Sequence, residues 1–204
     1  MKTIHVLWIG LAVLLSAARP VSDNGYQIGD AVEDFRLKNI NGEWVSMASY
    51  PAAKGFIVIF TCNTCPVAVA NEDRIIALDN TYKPLGYPVI AINPNDAGVE
   101  PRESYEQMQQ RAGDKGFTFP YLLDPDHVVT RRFGATHTPH AFLLQKVDNV
   151  PVVQYIGAID NDSRGGSPDT KFIEDAIAAL EQGSKPDPDV TRAVGCTIKW
   201  KKST

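Results

Sequence analysis

The chain has 204 residues, of which 44% are hydrophobic and 22% are charged. This balance is typical of one soluble globular domain. Lys and Arg total 20 against 24 Asp and Glu residues, which gives a net charge of −4. Because nucleic-acid binding needs clustered positive charge, the composition argues against a nucleic-acid partner.

The first 18 residues have the pattern of a secretory signal peptide. Met1-Lys2 supplies a positive start, an apolar run extends from Val6 to Leu15, and Ser16-Ala17-Ala18 offers small residues for a signal peptidase. We therefore predict cleavage after Ala18, a domain over residues 19–183 and a tail over residues 184–204. An uncleaved membrane anchor is the alternative, although the run is short for a hydrocarbon layer about 30 Å thick. The mature chain is predicted to be exported, periplasmic or secreted, without stable membrane insertion.

Strand and helix patterns alternate in the first half of the predicted domain. Two short apolar segments flank Asn41-Gly42, a dipeptide suited to a tight hairpin turn. The continuous apolar run at 55–60 predicts a central strand covered on both faces. This strand leads directly into a CxxCP segment at 62–66. Apolar residues at helical spacing then predict an amphipathic helix from beyond the proline to about Lys83.

The alternation continues in the second half. We predict a strand at 87–93, a helix at 101–112 stopped by Gly113, an extended segment at 117–123, a short helix ended by Gly134, strands at 141–146 and 150–159, and a last helix from Ser167-Pro168 to Gly183. Alternating strands and helices, followed by a hairpin and a helix, predict an α/β fold with a central mixed β-sheet flanked by helices.

Cys62 and Cys65 form the most informative motif of the chain. Cysteines three residues apart at the start of a helix are close enough to form a disulfide, and the positive end of the helix favours a thiolate there. We therefore expect Cys62 to attack, and Cys65, one turn inside the helix, to resolve the mixed disulfide. A zinc site and an inert structural bridge are alternatives, although structural zinc usually takes a second ligand pair at short spacing.

Five separated motifs carry a family resemblance: FTCNTCP at 60–66, AINPND at 91–96, FPYLLD at 119–124, THTPHAFLL at 136–144 and GCTIKW at 195–200. In this order they resemble the thioredoxin-like superfamily, and more closely the peroxiredoxin-like branch of the alkyl hydroperoxide reductase and thiol-specific antioxidant (redoxin) family. The resemblance covers about residues 28–183. It implies a thioredoxin-like fold with an N-terminal β-hairpin extension, and a cis-Pro139 beside the cysteines. Thr61, Thr138 and Pro139 are then the candidate substrate-binding residues.

Two departures from the family patterns bear on the reaction. Phe56 stands six residues before Cys62, where thioredoxin has a buried carboxylate that assists proton transfer. Neither cysteine has the proline and threonine spacing of a peroxidatic cysteine. We predict an exported thiol–disulfide oxidoreductase, with a thiol peroxidase of the same family as an alternative. The predicted partners of the oxidoreductase are protein or small-molecule thiols and disulfides, and a separate redox partner. We predict no cofactor; the redox-active group is the Cys62–Cys65 disulfide.

A metal-binding chaperone is an alternative from a different class. His137 and His140 flank the proline, and two thiolates with an imidazole can bind copper or zinc. Under this alternative the ligands are Cys62, Cys65, His137 and His140, whereas the main prediction includes no metal.

Cys196 leaves an odd number of cysteines. It is a resolving thiol, a partner for another chain, or a small buried residue that docks the tail. Ile198 and Trp200 lie at alternate positions after it, as on the buried face of a strand, and favour docking.

Overall fold

The structure is a computed structural model that describes residues 24–202. The predicted signal peptide, residues 1–18, lies outside the described residues. The strands are β1 (Leu37–Asn39), β2 (Trp44–Val45), β3 (Gly55–Phe60), β4 (Val89–Asn93), β5 (Tyr121–Leu123), β6 (His137–Thr138), β7 (His140–Val147), β8 (Val150–Gly157) and β9 (Cys196–Thr197). The helices are α1 (Pro66–Ala70), α2 (Glu72–Tyr82), α3 (Tyr105–Lys115), α4 (Val128–Phe133) and α5 (Phe172–Glu181). None of the helices in this part of the chain is long and apolar enough to cross a membrane.

Seven strands form one mixed sheet in the order β2-β1-β5-β4-β3-β7-β8. The central strands β3, β4 and β5 run parallel, whereas β1 and β7 are antiparallel to their neighbours. The predicted α/β class and the N-terminal hairpin around Asn41-Gly42 are confirmed, because β1 pairs with β2 across that turn. Gly42 has a φ of 89° there, a conformation that glycine adopts without steric cost.

The hydrophobic core lies on both faces of this sheet because successive strand residues point to opposite sides. All six residues of β3 are buried, as its continuous apolar run predicts. Alternate residues of β3 pack with α4 on one face and with α2 and α5 on the other. The first cluster includes Phe56, Val58, Phe60, Phe133 and Phe142, and the second includes Ile57, Ile59, Ile75, Leu78, Ile173 and Ile177.

The helix boundaries differ from the sequence predictions. The segment after Pro66 is two helices that meet at Asn71, whose side-chain amide donates to the carbonyl of Val67. The helix predicted at 101–112 begins later, with Ser104 as its N-cap, and passes through Gly113 to end at Gly116. Glycine in a helix interior costs only about 1 kcal/mol, so Gly113 does not stop it. The last helix begins at Phe172 rather than at Ser167-Pro168.

Segments from both ends of the chain cover the free edge of β8. Gly29 and Val32 donate backbone hydrogen bonds to it at 2.8 Å. On its other half, Ile156 of β8 bridges to Val190 of the tail, with hydrogen bonds from Ile156 to Asp189 and from Thr191 to Ile156. The tail then continues to β9, which pairs with β6 in a separate two-stranded sheet.

Candidate active site

The two cysteines of the CxxC segment lie where β3 passes into α1. Thr61 continues the β3 ladder by donating its backbone N–H to Ile92 at 2.9 Å. Cys65 is the N-cap of α1, with extended backbone angles, and Pro66 is the first helical residue. This corrects the expectation that Cys65 lies one turn inside the helix. A proline at the first helical position has no N–H to lose, so the helix begins immediately after Cys65.

Both sulfurs contact Thr138. The Cys62 Sγ lies 3.0 Å from Thr138 Oγ1, and the Cys65 thiol is 3.2 Å from the Thr138 carbonyl oxygen, to which it donates when protonated. The Thr138–Pro139 peptide bond is cis. All three cysteines of the chain are free thiols, and Cys62 and Cys65 are each only 3% exposed. The Thr138–Pro139 segment, 73 or more residues away in the chain, therefore packs directly on the CxxC pair.

The environment of the pair favours a thiolate on Cys65. The Cys62 thiol donates to Cys65, and although burial opposes the charge, donors on Cys196 and the Ala68 N–H also help to lower the Cys65 pKa to about 4. The pKa of Cys62 is raised, first by that hydrogen bond, then by burial and by the charge of Glu103. This order is opposite to the expectation that Cys62 is the more acidic thiol. The main cause is the hydrogen bond between the two thiols, in which Cys62 is the donor and Cys65 the acceptor.

Glu103 is a buried carboxylate beside the CxxC pair that the sequence did not single out. It lies in a 3₁₀ turn, Pro101–Glu103, and is fully buried. Its Oε2 accepts from the Asn63 N–H at 2.9 Å and from the Asn93 amide at 2.9 Å, while its Oε1 accepts from the Thr64 N–H at 3.0 Å and from the Thr64 hydroxyl at 2.5 Å. One carboxylate thus fixes the two residues between the cysteines. A buried carboxylate is therefore present near the pair, although Phe56 occupies the position that thioredoxin uses for it.

The tail covers the site. Strand β9 pairs antiparallel with β6, with Cys196 opposite Thr138. The backbone N–H of Cys196 donates to the Cys65 Sγ at 3.3 Å. A Cβ on Gly195 would lie 2.0 Å from the Thr138 carbonyl oxygen, so only glycine permits this approach. The backbone edge of Thr138, a candidate substrate-binding residue, is thus occupied by the protein's own tail.

Docking of the tail was predicted, and its anchors differ in burial. Ile198 is 4% exposed and joins the main core, whereas Trp200 is 37% exposed. The indole of Trp200 packs 4.9 Å from the His127 ring and lies beneath the Arg131 guanidinium at 4.8 Å. Cys196 itself is partly exposed.

The remaining candidate residues are more dispersed. His137 is partly exposed and contacts the Thr136 hydroxyl at 2.9 Å. His140 is buried in β7 against Phe142, and burial lowers its pKa to about 4. Within residues 24–202, no group of three or more His, Cys, Asp or Glu side chains is placed to hold a metal ion. The Thr61 hydroxyl is buried without a hydrogen-bond partner among the described residues.

A cavity of about 200 Å³ opens beside Pro139. Val67, Phe172 and Val194 form its apolar wall, and Asp160 and Asp162 its polar side. Arg74 of α2 holds both aspartates, at 2.9 Å and 3.2 Å. This ion-pair cluster fixes the loop that borders the cavity.

The chain is similar to known proteins over more than half of its length. The AhpC/TSA family model matches residues 28–153. The thiol-disulfide oxidoreductase ResA from Geobacillus kaustophilus is 26% identical over 119 residues, 58% of this chain and 64% of the relative, so the chain spans less than two thirds of that relative.

Solved structures agree with the fold. The crystal structure of an uncharacterized conserved protein from Geobacillus kaustophilus matches with a TM-score of 0.80 at 29% identity, over 89% of this chain and 96% of the other. A putative thiol:disulfide interchange protein DsbE from Chlorobium tepidum, 21% identical, matches with a TM-score of 0.53 over 64% of this chain and 84% of that chain. These likenesses confirm the thioredoxin-like fold.

Proposed function

Since the chain belongs to the AhpC/TSA family, we propose that it is a thiol–disulfide oxidoreductase that uses Cys62 and Cys65. One observation carries the proposal: two free sulfurs lie at the start of a helix and both contact Thr138. The pKa of Cys65 is lowered and that of Cys62 is raised, so the pair holds one proton and one negative charge at neutral pH. The similarity to ResA, which is named as a thiol-disulfide oxidoreductase, supports the same reaction class.

The shared proton defines the order of steps. The Cys62 sulfur attacks one sulfur of a substrate disulfide, its proton passes to the Cys65 thiolate, and the other substrate sulfur leaves as a thiolate. Cys65 then gives its proton to that thiolate and attacks the Cys62 sulfur. The second substrate sulfur leaves as a thiolate and a Cys62–Cys65 disulfide forms. Cys65 thus acts first as base and then as resolving nucleophile, which supplies the proton transfer that Phe56 cannot provide.

The surroundings of the pair suggest how a substrate is presented. We assign Pro139 to the substrate-facing wall because it borders the adjacent cavity. Thr138, whose backbone edge pairs with the tail, is assigned to the same wall through its hydroxyl, which contacts Cys62. Thr61 keeps its place as a candidate contact, because it directly precedes Cys62 in the chain. The proposed substrates are protein or small-molecule disulfides, and a separate thiol partner returns the two electrons.

Export is part of the proposal. It rests on the signal-peptide pattern of residues 1–18 and on the persistence of disulfides in exported compartments. Determination of the N-terminal sequence of the protein recovered outside the cytoplasm tests it, and a start at residue 19 is expected.

The function is tested by a redox titration of metal-free protein in glutathione buffers, with mass spectrometry to identify the bridged cysteines. A reversible Cys62–Cys65 couple between about −270 and −120 mV is expected, together with reduction of insulin disulfides. Cys62→Ser abolishes that reduction, whereas Leu85→Ala, at a 54% exposed position, leaves it unchanged. A fully active Cys62→Ser variant overturns the proposal. Hydrogen peroxide consumption without insulin reduction favours the peroxidase alternative, and a pair that stays reduced and retains copper or zinc favours a chaperone.

A further inference from the structure

The tail strand occupies the position beside the CxxC pair that a bound substrate strand would take. β9 is hydrogen-bonded to β6 in the register that sets Cys196 against Thr138, the residue that both active-site sulfurs contact. Strand addition of this kind uses main-chain hydrogen bonds for affinity and side-chain positions for selectivity. Here the added strand belongs to the same chain, and the side chain it presents is a cysteine.

A backbone hydrogen bond ties Cys196 to Cys65. The Cys196 N–H donates to the Cys65 Sγ at 3.3 Å, and Cys196 packs against the cluster formed by Cys62, Cys65 and Ala68. Gly195 and Ile198, on either side, fix the tail, the first by its close approach to Thr138 and the second by burial in the core. The placement is therefore built by the packing of the whole tail.

Exposure differs between the three sulfurs. Cys62 and Cys65 are each 3% exposed, whereas Cys196 is partly exposed. A thiol reductant in solution thus meets Cys196 before it meets the buried pair.

We propose that Cys196 is a third redox cysteine, which takes over the Cys62–Cys65 disulfide by exchange at Cys65 and presents it to an external dithiol reductant. This inference rests on the proposed function. The Cys196 thiolate attacks the Cys65 sulfur, the Cys65–Cys196 bond forms, and the Cys62–Cys65 bond breaks. Cys62 leaves as a thiolate and takes up the proton that Cys196 has lost. No electrons enter or leave in this step, and the dithiol reductant then supplies two electrons to reduce the Cys65–Cys196 bond.

The acidity of Cys196 changes in the direction that this exchange needs. Burial, followed by its hydrogen bond to Cys65, raises the pKa of Cys196 to about 11 in the reduced protein. Oxidation of Cys65 removes its negative charge, so one of the causes that keep Cys196 protonated disappears when the disulfide forms.

The test uses purified full chains oxidised with oxidised glutathione, quenched in acid, alkylated and mapped by mass spectrometry. We expect oxidised wild type to contain a Cys65–Cys196 peptide besides the Cys62–Cys65 peptide. In Cys62→Ser, we expect more protein with a Cys65–Cys196 bond than protein with glutathione bound to Cys65. The docked tail holds the Cys196 thiol near Cys65 at an effective concentration of about mM or more. Glutathione on Cys65 with a free Cys196 in that variant, or no Cys65–Cys196 peptide from wild type, overturns the inference.

Two glycine variants separate tail docking from chance collision of thiols. Gly195→Ala places a methyl group against the Thr138 carbonyl and should displace the tail, which lowers the ratio of Cys65–Cys196 bond to Cys65–glutathione at least about tenfold in the Cys62→Ser background. Gly113→Ala is the matched control, because a Cβ there meets nothing within 4 Å, and it leaves the ratio unchanged. An unchanged ratio in Gly195→Ala refutes the role of the docked tail.

Insulin reduction by wild type, measured in parallel, distinguishes this inference from the proposed function. If wild type reduces insulin and the Cys65–Cys196 bond is absent, the inference fails and the function stands. If the Cys65–Cys196 bond forms and wild type has no exchange activity, the proposed function fails, and with it the relay role of Cys196.

Discussion

Replacement of Glu103 by glutamine removes the charge that organises the CxxC segment without changing its shape. Four donors surround the two carboxylate oxygens, two at each oxygen. In Glu103→Gln the amide nitrogen faces two of these donors, so two charge-assisted hydrogen bonds are lost. Each contributes about 1.5–3 kcal/mol, and rotation of the Thr64 hydroxyl or of the Asn93 amide recovers part of the loss. We expect a destabilisation of about 3 kcal/mol and a Tm lower by about 6–12 °C for a domain of this size.

The same change alters the reactivity of Cys62. Its pKa is raised by the hydrogen bond to Cys65, by burial and by the Glu103 charge, in that order, so loss of the charge lowers it. Thermal unfolding and the pH profile of Cys62 alkylation by iodoacetamide measure the two effects. The control is Glu100→Gln, because Glu100 pairs with Arg102 at the surface of the same turn. Loss of the Glu100 charge is expected to change neither the Tm nor the pH profile of Cys62 alkylation. A Glu103→Gln protein with a wild-type Tm and an unshifted Cys62 profile would refute the reasoning.

Three further predictions concern the proton taken up when the disulfide is reduced, the Thr138 hydroxyl, and the ion pair between Arg74 and Asp160. Because the Cys65 pKa is lowered to about 4, reduction of the disulfide takes up two electrons and one proton between pH 5 and 8; the midpoint potential should fall by about 30 mV per pH unit, and a slope of about 59 mV would contradict the thiolate. Thr138→Val removes the hydroxyl that lowers the Cys62 pKa, so insulin reduction at pH 7 should slow by about 2- to 10-fold, and an unchanged rate would exclude that contact from catalysis. Arg74→Ala leaves the buried Asp160 carboxylate without its cation and should cost about 3 kcal/mol in urea unfolding, whereas a loss below about 1 kcal/mol would show that Asp160 is otherwise solvated.

Local patterns predicted the sheet and the position of the cysteines. The apolar run of β3 is typical of a strand covered on both faces, and this strand brings Cys62 to the end of the sheet. The sequence alone did not show that the helix begins only at Pro66, so the prediction that Cys65 lies one turn inside the helix was wrong. Glu103 was missed for a different reason. A glutamate after Pro-Arg is ordinary in the first turn of a helix, and only the fold brings it under residues 63 and 64.

The docking of the tail could also be predicted only in part. Alternation of Ile198 with polar neighbours indicated that the tail docks, but not where. Its partner, Thr138, is more than 50 residues away in the chain, and the requirement for glycine at 195 arises only from the close approach of two backbones. Long-range pairings of this kind have no local signal.

The covered edge of β8 has a consequence for biogenesis. An uncovered edge strand is a template for association with other chains, and here one cover comes from residues 29–32 and the other from residues 189–191. The second cover is made only after every strand of the seven-stranded sheet has been synthesised. Until it docks, half of β8 is open to intermolecular pairing, so truncation before residue 189 should increase aggregation during refolding even though the seven-stranded sheet is complete.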